Sequence, residues 1–118
     1  MLLDHIALIV SSEECLQFYE KLGFREMDRF IRVYDTVVFM ENDGVVLEIF
    51  VDPKHPDRNS KFETKGLRHI AFSVDNLEEI VSILPCEKIR NDWWGRKFTF
   101  TKDPDGQPIE LKENLNQI

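Results

Sequence analysis

His5-Ile6-Ala7-Leu8-Ile9-Val10 returns 64 positions later as His69-Ile70-Ala71-Phe72-Ser73-Val74. Each run is short and rich in β-branched or aromatic residues, which suits a strand. A self-similarity at fixed offset decides architecture before local propensity does. Six residues beyond each histidine the spacing predicts a helix start, Ser11 with Glu14 and Asp75 with Glu78, where a cap residue is followed three places on by a carboxylate. The first helix then carries Cys15, Phe18, Tyr19 and Leu22 on one stripe and stops at Gly23. The second carries Leu77, Ile80, Val81 and Leu84 and stops at Pro85.

Three further strand candidates follow each helix. They are Phe24 to Val33, Thr36 to Glu41 and Val45 to Val51, then Glu87 to Asn91, Lys97 to Lys102 and Pro108 to Lys112. The pattern is therefore α+β, a βαβββ module used twice within a single domain spanning 1–118. Module one covers about 2–51, a polar linker or lid 52–66, and module two about 67–113. The last hairpin of each module turns at Asn42-Asp43-Gly44 and at Asp103-Pro104-Asp105-Gly106, and four residues past each glycine stands a glutamate, Glu48 and Glu110. The histidine-to-glutamate separations are 43 and 41.

The 118 residues include 15 Lys and Arg against 22 Asp and Glu, a formal charge of −7. That balance argues against a general nucleic-acid or anionic-membrane role, both of which need a clustered positive face. A chain of this length buries roughly two thirds of its unfolded surface, so a core forms without disulfides or structural metal. The longest apolar stretches fall far short of the roughly 20 residues of a membrane span, and Met1-Leu2-Leu3-Asp4 lacks a basic leader, so the expected location is the cytoplasm. Cys15 and Cys86 have no CxxC spacing and read as reduced fillers.

Strand alternation sets the face of each ionisable residue. His5 shares a face with Ala7 and Ile9, and His69 with Ala71 and Ser73. Leu47 and Ile49 flank Glu48 on the apolar side, as Ile109 and Leu111 flank Glu110. A pseudo-twofold between the halves would turn all four groups onto one cavity. Two partly buried carboxylates then need neutralising, and a divalent cation is the most direct source. Singly, a strand histidine is more often a hydrogen-bonded half-buried residue, and an inward glutamate a partner of Lys or Arg. The repetition in register favours the ligand reading. The third histidine, His55, has no counterpart and reads as a solvated loop side chain.

These features resemble the glyoxalase/bleomycin-resistance/extradiol-dioxygenase (vicinal oxygen chelate) superfamily over nearly the whole chain, most specifically in Gly66 to Asp75 and in Lys97 to Leu111 with its Asp103-Pro104-Asp105-Gly106 turn. The second of these stretches resembles in particular the small bacterial glyoxalase I-like proteins. The resemblance implies two modules curled into an open mixed sheet around a metal cleft, with ligands on His5, Glu48, His69 and Glu110, and a homodimer. Two imidazoles and two carboxylates without thiolate suit Ni, Co, Zn, Mn or Fe, and Mg less. Four protein ligands leave two octahedral positions, enough for a chelating substrate, whereas an extradiol dioxygenase wants three. The implied activity is a lactoylglutathione lyase-like lyase or isomerase acting on a small molecule such as a thiol adduct, with Glu110 or Glu48 moving the proton. The alternatives are a drug-sequestering binding protein of the bleomycin-resistance kind, which generally lacks the ligand quartet, and a metal-dependent thiol transferase or dioxygenase of the same fold.

Trp93-Trp94-Gly95-Arg96-Lys97 lies between two strands of module two. Trp94, Arg96 and Lys97 could stack on and clamp an anionic substrate tail, or the loop could be an interface.

Overall fold

The structure, a computed structural model, describes residues 1–114. They form two compact units, residues 1–57 and the described residues from 58 onward, with the boundary inside the segment 52–66. Unit 1 contains β1 (Ile6–Val10), a 3₁₀ turn (Glu13–Cys15), α1 (Leu16–Lys21), β2 (Arg25–Ile31), β3 (Thr36–Asn42) and β4 (Val45–Val51). Unit 2 contains β5 (Ile70–Val74), α2 (Leu77–Ile83), β6 (Arg90–Asn91), β7 (Lys97–Lys102) and β8 (Pro108–Glu113). Each is an open four-stranded mixed sheet, ordered β1-β4-β3-β2 and β5-β8-β7-β6, in which the first and last strands run parallel and the other pairings are antiparallel.

The predicted repeat holds at the level of single residues. Ala7 pairs with Glu48 and Ala71 with Glu110 across the parallel ladders. Across the antiparallel ladders Phe39 faces Glu48 and Phe100 faces Glu110. The separations of 43 and 41 residues thus reach one register, the difference being absorbed in the intervening turns.

In unit 1 the sheet face bearing Val38, Met40, Leu47 and Ile49 is buried. Arg29 on the same face of β2 grips Glu13, so the 3₁₀ turn and α1 lie over this face. Tyr19 is fully buried and packs edge-on to Phe18 and Phe24, at centroid distances of 5.0 and 6.5 Å. Gly23 ends α1 at φ +101°, a conformation that L side chains resist. In unit 2 Ile109, Leu111, Leu77 and Leu84 are the matching core.

Both helical segments, the 3₁₀ turn that leads into α1 and α2 itself, begin one residue later than the spacing predicts. Asn76, not Asp75, caps α2, its Oδ1 accepting the Glu79 N–H at 3.1 Å, while Asp75 accepts the side-chain amide of Asn114. Ser12 precedes the first helix without a capping bond, and the helix enters through the 3₁₀ turn. The strand expected over Glu87 to Asn91 shortens to two residues. Upstream of it, the Thr99 and Thr101 hydroxyls of β7 donate to the carbonyls of Glu87 and Pro85 at 2.6 and 2.7 Å, and the Glu87 N–H donates to the Phe100 carbonyl at 2.9 Å, so the chain follows β7 through mixed bonds and not a regular ladder. No helix among the described residues is long and apolar enough to cross a membrane.

Candidate functional site

His5 stands immediately before β1, and Glu48 is the central residue of β4. Ala7, opposite Glu48, is small enough to leave the imidazole room above the strand. His5 Nε2 lies 3.4 Å from Glu48 Oε1, and its Nδ1 lies 2.7 Å from Asp4 Oδ2. The hydrogen bond to Asp4, helped by the charge of Glu48, raises the His5 pKa above its ordinary value. Unit 2 repeats the arrangement. His69 Nε2 lies 2.9 Å from Glu110 Oε1, and the His69 ring packs edge-on against Phe100 at 5.0 Å. Ala71 again supplies the gap.

Each unit therefore brings its own predicted histidine and glutamate together. Among the described residues no group of three or more His, Cys, Asp or Glu is gathered as a metal-holding cluster, and what each unit presents is one pair. The pairs fit a divalent ion in donor type and in spacing. Two ligands at bond lengths of about 2.1 Å stand roughly 3.0 Å apart when cis on an octahedral ion and roughly 3.4 Å apart on a tetrahedral one. The observed 2.9 and 3.4 Å span those values, with imidazole nitrogen and carboxylate oxygen as borderline-hard donors and no thiolate.

The repeat fails at one position of the glutamate face, and sequence reasoning missed the residue there. Phe50 of β4 corresponds to Lys112 of β8. The Lys112 ammonium sits 2.7 Å from Asp92 Oδ2 and 3.8 Å from Glu110 Oε2, with the Trp94 ring 5.9 Å away. By contrast, among the described residues no Lys or Arg nitrogen lies within 4 Å of Glu48. The two glutamates, near-equivalent by pseudo-symmetry, thus differ in their charged surroundings. Asp92, only 7% exposed, is held below the usual carboxylate range, first by Lys112 and then by the backbone N–H groups of Arg96 and Trp94. In unit 1 the nearest analogue is Asp35, 4% exposed and held low by a two-pronged Arg32 contact at 2.6 Å. The Glu110-x-Lys112 spacing, two residues apart on one strand face, was the available signal.

The loop between β6 and β7 is built on Asp92, whose Oδ1 accepts the N–H groups of Trp94 and Arg96 at 2.9 and 2.8 Å. Arg96 points back onto the sheet, donating to the Glu113 carbonyl and the Ser73 hydroxyl at 2.5 and 2.8 Å. Trp93 and Trp94 stand outside, 95% and 80% exposed. Lys97 is exposed at the start of β7.

The family model for the Glyoxalase/Bleomycin resistance protein/Dioxygenase superfamily matches residues 2–111. The chain belongs to this superfamily. It is similar to the uncharacterized protein YwkD of Bacillus subtilis (strain 168), 38% identical over 122 residues that cover 94% of this chain and 95% of that one. It is also similar to the crystal structure of a glyoxalase family protein from Enterococcus faecalis, 34% identical, with a TM-score of 0.85 over 95% and 97% of the two chains. At 20% identity or below, the fold alone is shared with a bleomycin-binding protein (TM-score 0.65), a fosfomycin resistance protein from Listeria monocytogenes (0.71) and a lactoylglutathione lyase from Agrobacterium tumefaciens (0.60). The superfamily therefore spans enzymes and binding proteins on one architecture.

Proposed function

We propose that this chain is a metal-dependent lyase or isomerase of glyoxalase I type. It would hold one divalent ion, Ni, Co, Zn, Mn or Fe, through His5, Glu48, His69 and Glu110. The observation that carries the reading is the His–Glu pair repeated in identical register in both units, at separations suited to two ligands of one ion. When bound, the ion would polarise a chelated substrate oxygen and stabilise the negative charge left beside it by proton removal.

The chain's own contribution is proton movement and orientation. In both pairs the imidazole faces Oε1 of the glutamate, which leaves Oε2 to take a proton from the carbon beside the polarised oxygen and return it to the neighbouring one. At Glu110 the Lys112 ammonium stands 3.8 Å from that second oxygen and attracts it through space. Trp94, Arg96 and Lys97 form the substrate-side loop of this reading. Arg96 does so as a positioning residue, since its guanidinium is engaged by Ser73 and Glu113. The substrate is a small molecule, and a thiol adduct fits the lyase-like chemistry. The protein works as a cytoplasmic homodimer in this reading.

The second reading, a drug-sequestering binding protein, is favoured by the shared fold of the bleomycin-binding protein. It needs no ligand quartet. Metal analysis by mass spectrometry after reconstitution, followed by turnover tests with methylglyoxal and a panel of thiols, separates the two. About one ion per chain with measurable turnover supports the enzyme. A folded, reconstituted sample without stoichiometric metal refutes it.

A further inference from the structure

In a chain of net charge −7, three cations of the segment ahead of β5 and one from β7 gather around one hollow. Residues 58–68 line a cleft of about 370 Å³, closed on its other side by Lys102, Gly106 and Pro108 of the β7–β8 hairpin. That volume falls within the range of small-molecule sites. Arg58, Lys61, Arg68 and Lys102 face it with Glu63 as the single carboxylate. Arg58 is tied to the Gln107 side chain at 3.1 Å and Arg68 to Glu63 at 2.6 Å, which fixes two of the cations on the walls. Among the described residues no carboxylate lies within ion-pair distance of Lys61 or Lys102, so their charges stay available.

Like charges gathered in a concave site repel one another and focus a positive potential, and an anion relieves both effects. Three-donor ammonium groups and forked guanidinium groups match phosphate or carboxylate oxygens. Phe62 and Leu67, 71% and 83% exposed, add an apolar rim. A second hollow, sharing Glu63, Arg68, Lys102 and Pro108 with the first, extends the lining to His69, Phe100 and the oppositely charged Glu87 and Arg90.

We infer that this cleft binds the oxyanion end, phosphate or carboxylate, of a small organic ligand whose other end reaches His69. That the ligand is the substrate rests on the proposed function, whereas the affinity for an oxyanion does not. The cleft lies away from the Trp94 loop, so an anionic tail would be read by Lys61 and Lys102 in place of Lys97.

The test is an amide-resonance NMR titration of the full-length, metal-free protein at fixed low ionic strength, with inorganic phosphate in one arm and succinate in the other. Saturable shifts confined to 58–68 and 102–108 are expected from at least one probe, and the arm that saturates identifies the oxyanion. The Lys61→Gln/Lys102→Gln double variant should bind at least about tenfold more weakly. Lys54→Gln, which removes one charge from unit 1, should match the wild type. Both lysines are exposed, and the same spectra report whether the variants are folded. Shifts scattered over both units, no saturable shift from either probe, or a double variant within twofold of wild type would overturn the inference. Metal-free measurement keeps a failure here separate from a failure of the metal reading.

Discussion

Replacing Gly23 by alanine tests how α1 is stopped and how β3 is fastened to it. Gly23 sits at φ +101°, and an added Cβ would lie 2.8 Å from Asn42 Nδ2. A left-handed L residue costs about 1–2 kcal/mol. The Asn42 amide can swing aside, but it then loses its 3.2 Å hydrogen bond to the Leu22 carbonyl, worth about 1 kcal/mol. The sum is about 2–3 kcal/mol, which for a chain of this size lowers Tm by roughly 8–15 °C. Gly44→Ala is the control, because its φ is +84° with nothing within 4 Å of the added Cβ. That variant should show the backbone cost alone. In an Asn42→Ala background Gly23→Ala should fall to the Gly44→Ala value. Calorimetry on the three single variants and the double closes the cycle. Equal losses for Gly23→Ala and Gly44→Ala, or additive effects of Gly23→Ala and Asn42→Ala, would refute the reasoning.

Glu110→Gln and Glu48→Gln keep size and one ligand oxygen but remove the titratable group. Whichever glutamate moves the proton should lose about 10²–10⁴ in kcat while metal content and Tm hold, and full turnover in both would assign the base elsewhere. Asp92 is held below its ordinary pKa of 3.8, so its contribution to stability is present above that value and disappears as pH falls through the lower folded value. The Tm difference between wild type and Asp92→Asn should be constant from pH 7 to about 5 and vanish in acid, and a difference that grows on acidification would contradict the pairing with Lys112. Arg96→Ala should cost about 1–3 kcal/mol of stability by freeing Ser73 and the Glu113 carbonyl, whereas Lys97→Ala should cost almost none, as thermal melts of both would show.

The architecture was legible because its signals are local and doubled. The His5 and His69 runs, the turn glycines and the spaced glutamates each recur, and alternation alone placed Leu47, Ile49, Ile109 and Leu111 in the core. The meeting of His5 with Glu48 and of His69 with Glu110 was legible for the same reason, while the convergence of all four on one ion stands as the proposal. What escaped the reading depends on partners distant in sequence. Asp92 looks like an ordinary loop acid until Lys112, twenty residues on, folds beneath it. Arg96 looks like a free clamp until Ser73 and Glu113 occupy it. The strand expected over 87–91 has adequate β-propensity, but at its start the Glu87 carbonyl is taken by the Thr99 hydroxyl, and the Thr101 hydroxyl takes the Pro85 carbonyl just before it. The shifted cap at Asn76 reflects two acceptable capping residues side by side, of which Asp75 is drawn off by Asn114.

The parallel pairing of first and last strands also governs how each unit meets force. The start of β1 lies beside the start of β4, so the two ends of unit 1 leave from opposite ends of one ladder, and the same holds for β5 and β8. Tension applied through the ends of a unit slides the two strands along each other and loads their hydrogen bonds together, instead of peeling them one at a time. A translocating unfoldase pulling on either unit would meet its main resistance at β1–β4 or β5–β8, the strand pairs that carry the glutamates and begin directly after the histidines.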